Sequence, residues 1–171
     1  MDPSSRSPFG RMSGLHGLSD LSLKQLVSWG DHLKVEQPQI DAQHQAIFDI
    51  ALEIADLWHR HGDLDQVKAL AEKLDKVLEA HFRFEEQQLA GIGYTKLSEH
   101  RAEHKVMLDE LQLIRGRLAK MGHGTIQAEP GFLVLSYILG VTVGHITHSD
   151  MDYCAFARNA AGNGGQVWPA S

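Results

Sequence analysis

Four stretches of this chain repeat apolar residues at helical spacing, and in every one the stripe is interrupted at a core position by His or Glu. The first begins at Pro38, a residue favoured in a first helical turn, and stops near Gly62. Its stripe is Ile40, Ile47, Ala51, Ile54 and Trp58, with His44 in the gap. The second follows an Asp63 cap and carries Val67, Leu70, Leu74, Leu78, His81, Glu85 and Gln88 before Gly91. The third runs Leu97, His100, His104, Met107, Leu111, Ile114, Leu118 and Met121 to Gly122. The fourth opens at Pro130 and sets Val134, Ile138, Val141 and His145 on one face.

Strand signals are absent and the links between these stretches are short. That combination predicts an all-α, antiparallel up-down-up-down four-helix bundle. Residues 25–158 are expected to form it, with Leu26 to Gln37, which contains Trp29, packed across one end as an extended arm. Residues 1–24 are rich in Ser, Gly and Pro without a sustained period, which predicts a flexible N-terminal arm. Residues 159–171, with Gly162, Gly164, Gly165 and Pro169, have the composition of a flexible tail or linker.

Composition excludes several function classes. A formal charge of −6 offers no basic stripe for phosphates, so no nucleic-acid partner is expected. The lone Cys154 cannot close an intrachain disulfide, leaving packing or metal to hold the fold. No apolar run reaches the roughly 18 residues of a membrane span; the longest, Phe132 to Val143, is broken by Ser136, Tyr137 and Thr142. With no leader-type N-terminus, a soluble, cytoplasmic protein without a membrane partner is expected.

Eleven histidines would mean little if scattered, so their positions decide the matter. His81 and Glu85 are four apart, as are His100 and His104, so each pair projects from one helix face about 6 Å apart along the axis. A lone His on an apolar face is usually a hydrogen-bonded core residue, and one i,i+4 pair is common on solvated faces. A set of histidines and carboxylates drawn from four helices into one core is a different situation. Left unsatisfied, each buried polar group would cost about 1–3 kcal/mol or more, against a total stability of only about 5–15 kcal/mol. Bound metal removes the conflict, because it needs neutral imidazoles and ionised carboxylates.

The donor set selects the metal. Seven nitrogen and oxygen donors without a thiolate exceed the four of a tetrahedral zinc, and calcium or magnesium would want oxygen. Imidazole with carboxylate suits iron, and two carboxylates can each bridge a pair of ions, leaving one coordination position open. The last donor is ambiguous on spacing alone. Asp150 lies five residues after His145 and would not share its face on an ideal α-helix. Either a wide π-type turn intervenes, or His148 or Asp152 takes its place.

The segments Trp29, Ile40-Asp41-Ala42-Gln43-His44, His81-Phe82-Arg83-Phe84-Glu85-Glu86, Tyr94, His100-Arg101-Ala102-Glu103-His104 and His145-Ile146-Thr147-His148-Ser149-Asp150 resemble the hemerythrin family in its bacterial form. The likeness covers about residues 27 to 157. It implies a His-x4-Asp pattern in the fourth helix, favouring Asp150. It further implies that His100, His104 and His145 bind one iron, His44 and His81 the other, and that Glu85 and Asp150 bridge the two with a solvent-derived oxygen. Dioxygen would bind reversibly at the two-histidine iron, held as hydroperoxide.

One departure stands out. Where the family usually has Trp-Leu before the fourth-helix histidine, this chain reads Val141-Thr142-Val143-Gly144-His145. Thr142 in place of leucine is expected to make the oxygen pocket roomier and more polar and to speed autoxidation, which Thr142→Leu should slow. The function expected is non-enzymatic oxygen binding for carriage, delivery or buffering. Its rival is an oxygen- or redox-sensing domain acting on a signalling or oxygen-consuming protein. A ferritin-like diiron enzyme would instead draw Glu-x-x-His carboxylates from its helices. His16, His32, His59, His61 and His123 are expected at the surface, His148 as a support beside the site, and Cys154 as a buried inert thiol. Trp58 and Phe82 are expected to pack the core.

Overall fold

A computed structural model describes residues 28–125, 128–162 and 168, without the side chains of 128–132, 142, 143 and 161. The arm expected over residues 1–24 therefore lies outside the described residues, as does most of the C-terminal tail.

A short 3-10 turn at Asp31–Leu33 precedes four long helical stretches: α1 (Pro38–His59), α2 (Leu64–Gly91), α3 (Leu97–Lys120) and a composite fourth. The fourth is α4 (Ala128–Leu139), a π-helical segment (Gly140–Asp150) and α5 (Met151–Gly162) in unbroken succession. No strand occurs among the described residues; a single bridge joins Asp63 to Thr125. The chain is an all-α four-helix bundle.

Local chemistry accounts for the helix ends. Gln37 accepts from the Ile40 amide with Pro38 just inside α1, and Asp63 accepts from the Asp65 amide at the start of α2. At the end of α1, His61 adopts φ 50° and the Gly62 amide reaches back to the Leu57 carbonyl at 2.7 Å. That 6→1 bond is the Schellman closure of a helix. The fourth stretch begins at Ala128, just ahead of Pro130, which sits within its first turn.

Two apolar clusters fill the bundle. The larger contains Ile47, Phe48, Ala51, Ile54, Leu74, Leu78, Leu111 and Ile138, among others; the smaller contains Val35, Ile40, Leu89, Tyr94, Tyr153 and Cys154. Along α1 the order is smaller cluster, His44, larger cluster, and along α2 it reverses: Leu78, then His81 and Glu85, then Leu89. It reverses again along α3 and again along the fourth stretch. This alternation is the up-down-up-down path, and it confines the interrupting polar residues to one layer between two dry ones. The arm before α1, expected across one end, instead runs past the polar layer: Leu33 is buried in the larger cluster and Val35 in the smaller, and the Trp29 ring meets Phe48 at 5.5 Å and His44 at 5.9 Å.

Candidate metal centre

Each helix delivers its polar residues to that layer by its own spacing. His81 and Glu85 on α2, and His100 and His104 on α3, are i,i+4 pairs on one face. The fourth stretch needs a different device. From Gly140 to Asp150 the backbone is π-helical, and its i→i+5 pattern brings residues five apart into line. His145 Nε2 accordingly lies 3.2 Å from Asp150 Oδ1. The run Val141-Thr142-Val143 between Gly140 and Gly144 is a poor α-helix former, which lowers the cost of this winding. His148 and Asp152, the alternatives on spacing, are both exposed. The side chain of Thr142, expected to widen the oxygen pocket, lies outside the described residues.

All seven side chains selected from the sequence meet in one buried layer. His44, Glu85 and Asp150 have no exposure, and His81, His100, His104 and His145 have at most 6%. Their donor atoms form two groups, one of His44, His81 and Glu85, the other of Glu85, His100, His104 and His145. Glu85 belongs to both, its Oε2 lying 3.0 Å from His100, 3.1 Å from His104 and 3.9 Å from His81. Asp150 spans the groups as well: Oδ2 is 3.3 Å from His44 Nε2, and Oδ1 faces His145.

Outside the layer, a chain of hydrogen bonds fixes the rings. Gln43 on α1 meets His81 Nδ1 at 3.1 Å, Glu86 on α2 meets His104 Nδ1 at 2.9 Å, and Glu103 on α3 meets His145 Nδ1 at 3.0 Å. Each helix thus braces a histidine of the next. Carboxylates only accept, so the Nδ1 atoms of His104 and His145 both carry protons. Their Nε2 lone pairs then face each other at 3.1 Å, and neither can donate to the other. A cation between them resolves the conflict. Without a metal a proton can do the same: burial opposes charging of His145, yet Asp150, Glu103 and Glu85 push its pKa up to about 9. Both Asp150 oxygens are buried without a hydrogen-bond partner, which again suits a cation.

The opposite end of the layer favours neutral rings. Burial pulls the His81 pKa down to about 3, outweighing the attraction of Glu85. Burial would raise the Glu85 pKa, but His81, His100 and His104 hold it well below the usual carboxylate range. Neutral imidazoles beside ionised carboxylates are the protonation states a metal requires.

A family model, the hemerythrin HHE cation-binding domain, matches residues 37–157. The chain belongs to the hemerythrin family. Among curated proteins, this hemerythrin-family chain is similar to the bacteriohemerythrin of Clostridium acetobutylicum, 30% identical over 87 residues that make up 49% of this chain and 67% of that protein. Hemerythrins are non-haem iron proteins that bind dioxygen, and the donor set described here is of the kind such iron takes.

Several supporting residues carry no signal in apolar periodicity. Tyr153, buried in the smaller cluster, donates its hydroxyl to Glu85 Oε1 at 2.6 Å. Burial and the nearby carboxylates push its pKa far up, so the hydroxyl remains a donor. Phe82 does more than fill the core, because its ring stacks on His104 at 3.8 Å and 10°. Gln43, Glu86 and Glu103 sit next in sequence to His44, Glu85 and His104, and that adjacency is the cue by which a sequence could flag them. His148 lines a surface cleft of about 440 Å³ beside His100, together with Tyr94, Glu99, Glu103 and Asp152. His32, His59, His61 and His123 are exposed, and Cys154 is buried with its thiol directed at the Val35 carbonyl. No helix is long and apolar enough to cross a membrane among the described residues.

Proposed function

We propose that His44, His81, Glu85, His100, His104, His145 and Asp150 hold two non-haem irons, and that the chain binds dioxygen reversibly there for carriage, delivery or buffering. The observation that carries this reading is the pair of donor groups sharing Glu85, with the two Asp150 oxygens turned to opposite groups. One group offers three histidines and the other two, so the two-histidine side would offer its iron fewer protein donors and more room for dioxygen. Bound there, a ferrous pair would supply the two electrons that reversible dioxygen binding requires. The chain's residues do the rest. Nδ1 contacts to Gln43, Glu86 and Glu103 fix the tautomers, and Tyr153 holds Glu85 in place. The two apolar clusters above and below exclude water and so limit loss of superoxide.

Reduced protein should carry about two irons per chain and develop charge-transfer absorption on exposure to air. Asp150→Ala should lose iron and that absorption while keeping the helical circular dichroism. One metal per chain, zinc in place of iron, or a spectrum indifferent to air would overturn the reading. A steady-state peroxide assay tests the non-enzymatic assignment, which sustained turnover would defeat.

A sensing role has one observation in its favour. The Trp168 ring, in the C-terminal tail, packs edge-on against Tyr153 at 5.9 Å, and Tyr153 holds Glu85. A change at Glu85 thereby has a physical route to the tail, where a signalling partner could read it. Hydrogen exchange in residues 159–171 should then differ between reduced and air-oxidised protein; identical exchange would leave oxygen carriage as the function.

A further inference from the structure

The two donor groups differ in what stands behind them. On the three-histidine side, His104 and His145 both donate Nδ1–H to carboxylates, Glu86 at 2.9 Å and Glu103 at 3.0 Å. On the two-histidine side, His81 meets the neutral amide of Gln43 at 3.1 Å. His44 Nδ1 has no hydrogen-bond partner, and its ring lies 5.9 Å from that of Trp29. Two negative charges thus back one side, an amide and an aromatic ring the other.

The two carboxylates are not equivalent. Glu86 shares its charge with Arg101, whose Nε donates to Glu86 Oε2 at 3.1 Å. Glu103 receives a second hydrogen bond only from the Ser149 hydroxyl, at 2.5 Å, and has no Lys or Arg partner among the described residues. A carboxylate accepting the outer N–H of a metal-bound imidazole increases the electron donation of the inner nitrogen. Greater donation favours the more highly charged metal ion. The rings are buried, so the effect reaches the metal with little screening even though Glu103 itself is half-exposed.

We propose that Glu103, reinforced by Glu86, is a positioning residue that biases ferric character to the iron of His100, His104 and His145, while Gln43 leaves the His44–His81 iron the more readily kept ferrous. This rests on the two-iron reading above. It assigns to the outer hydrogen bonds the task of making two neighbouring irons unequal, so that the iron with fewer histidines would be the one held ready for dioxygen.

The test is spectroelectrochemistry of the iron-loaded protein, following the charge-transfer band as the electrode removes one electron from each ferrous ion in turn, with iron counted in every sample. Glu103→Gln keeps an oxygen that accepts from His145 but removes the charge. It should lower the ferric-to-ferrous ratio at fixed potential at least tenfold for one of the two steps, which is about 59 mV for one electron. Arg101→Gln, which unmasks Glu86, should shift that step in the opposite direction. Gln43→Glu places a carboxylate on His81 and should bring the two steps closer together. For any variant that fails to hold two irons, nitrogen NMR of the zinc-loaded protein replaces the potential. There Glu103→Gln should move the His145 signals and spare those of His81, and Gln43→Glu should do the reverse. Potentials and ring signals unmoved by Glu103→Gln, or Glu103→Gln and Arg101→Gln shifting the same way, would overturn the proposal. A wild-type count other than two irons would instead defeat the two-iron reading beneath it.

Discussion

Tyr153 and Glu110 show how a single side chain can matter for opposite reasons. Tyr153 is wholly buried and its hydroxyl is a close partner of the Glu85 carboxylate. Tyr153→Phe keeps the ring packing but strips Glu85 Oε1 of its donor, which should cost about 1–3 kcal/mol. It should also weaken metal binding by about 10–100-fold in a chelator competition; unchanged affinity would mean that Tyr153 only packs. Glu110 is a carboxylate without such help. It is half-buried, and burial alone raises its pKa above 4.5. The folded state therefore holds the proton more tightly than the unfolded chain. Stability suffers from this group only as the pH rises above 4.5 and through the folded pKa, and not at lower pH. Glu110→Gln should accordingly stabilise the fold at pH 7 by no more than about 0.5 kcal/mol after solvent screening. Urea midpoints should show that gain vanishing at pH 4.

Among the elements, the end of α1 and the π segment depart from ideal helix in informative ways. At the end of α1 the left-handed position of the closure is occupied by His61 rather than glycine. An exposed β-carbon there brings strain and no packing, so His61→Gly should stabilise the fold by about 0.5–1 kcal/mol. Gly62, the next residue, should not tolerate the reverse change. A β-carbon there would lie 2.7 Å from Leu57 Cδ2 and 3.2 Å from the Leu57 carbonyl oxygen. Urea denaturation of His61→Gly and Gly62→Ala should therefore move the midpoint in opposite directions. The π segment departs for the sake of the centre, since it is the winding that brings His145 and Asp150 within 3.2 Å.

At the scale of the whole molecule, the bundle is two apolar clusters joined through a polar layer, and the layer is the weak plane unless a cation sits in it. Stripped of metal, five imidazoles and two carboxylates remain buried, with two unpartnered oxygens on Asp150. The cost should be several kcal/mol, comparable with the total stability of a domain. Chelation should thus lower the melting temperature by roughly 10 °C or more, since about 1 kcal/mol corresponds to a few degrees at this size. Melting curves with and without chelator test it, and coincident curves would remove metal from the account of stability.

Much of this architecture was legible beforehand. The 3- and 4-residue spacing of apolar side chains is a local property, so it marked the four helices and the depth at which His44, His81, Glu85, His100, His104 and His145 enter the core. The Asp63 cap and Pro38 in the first turn mark two of their beginnings for the same reason. Spacing alone left Asp150, His148 and Asp152 level, because a π turn changes the phase of a helix without announcing itself in the apolar pattern. The tertiary fold also decided who supports the centre. Gln43, Glu86, Glu103 and Tyr153 each reach a partner on another helix, 18 or more residues away in the chain. Periodicity along a helix records which face is buried. It holds no record of which neighbouring helix that face will meet, nor of the height at which two side chains come level, and these depend on the packing of the whole bundle.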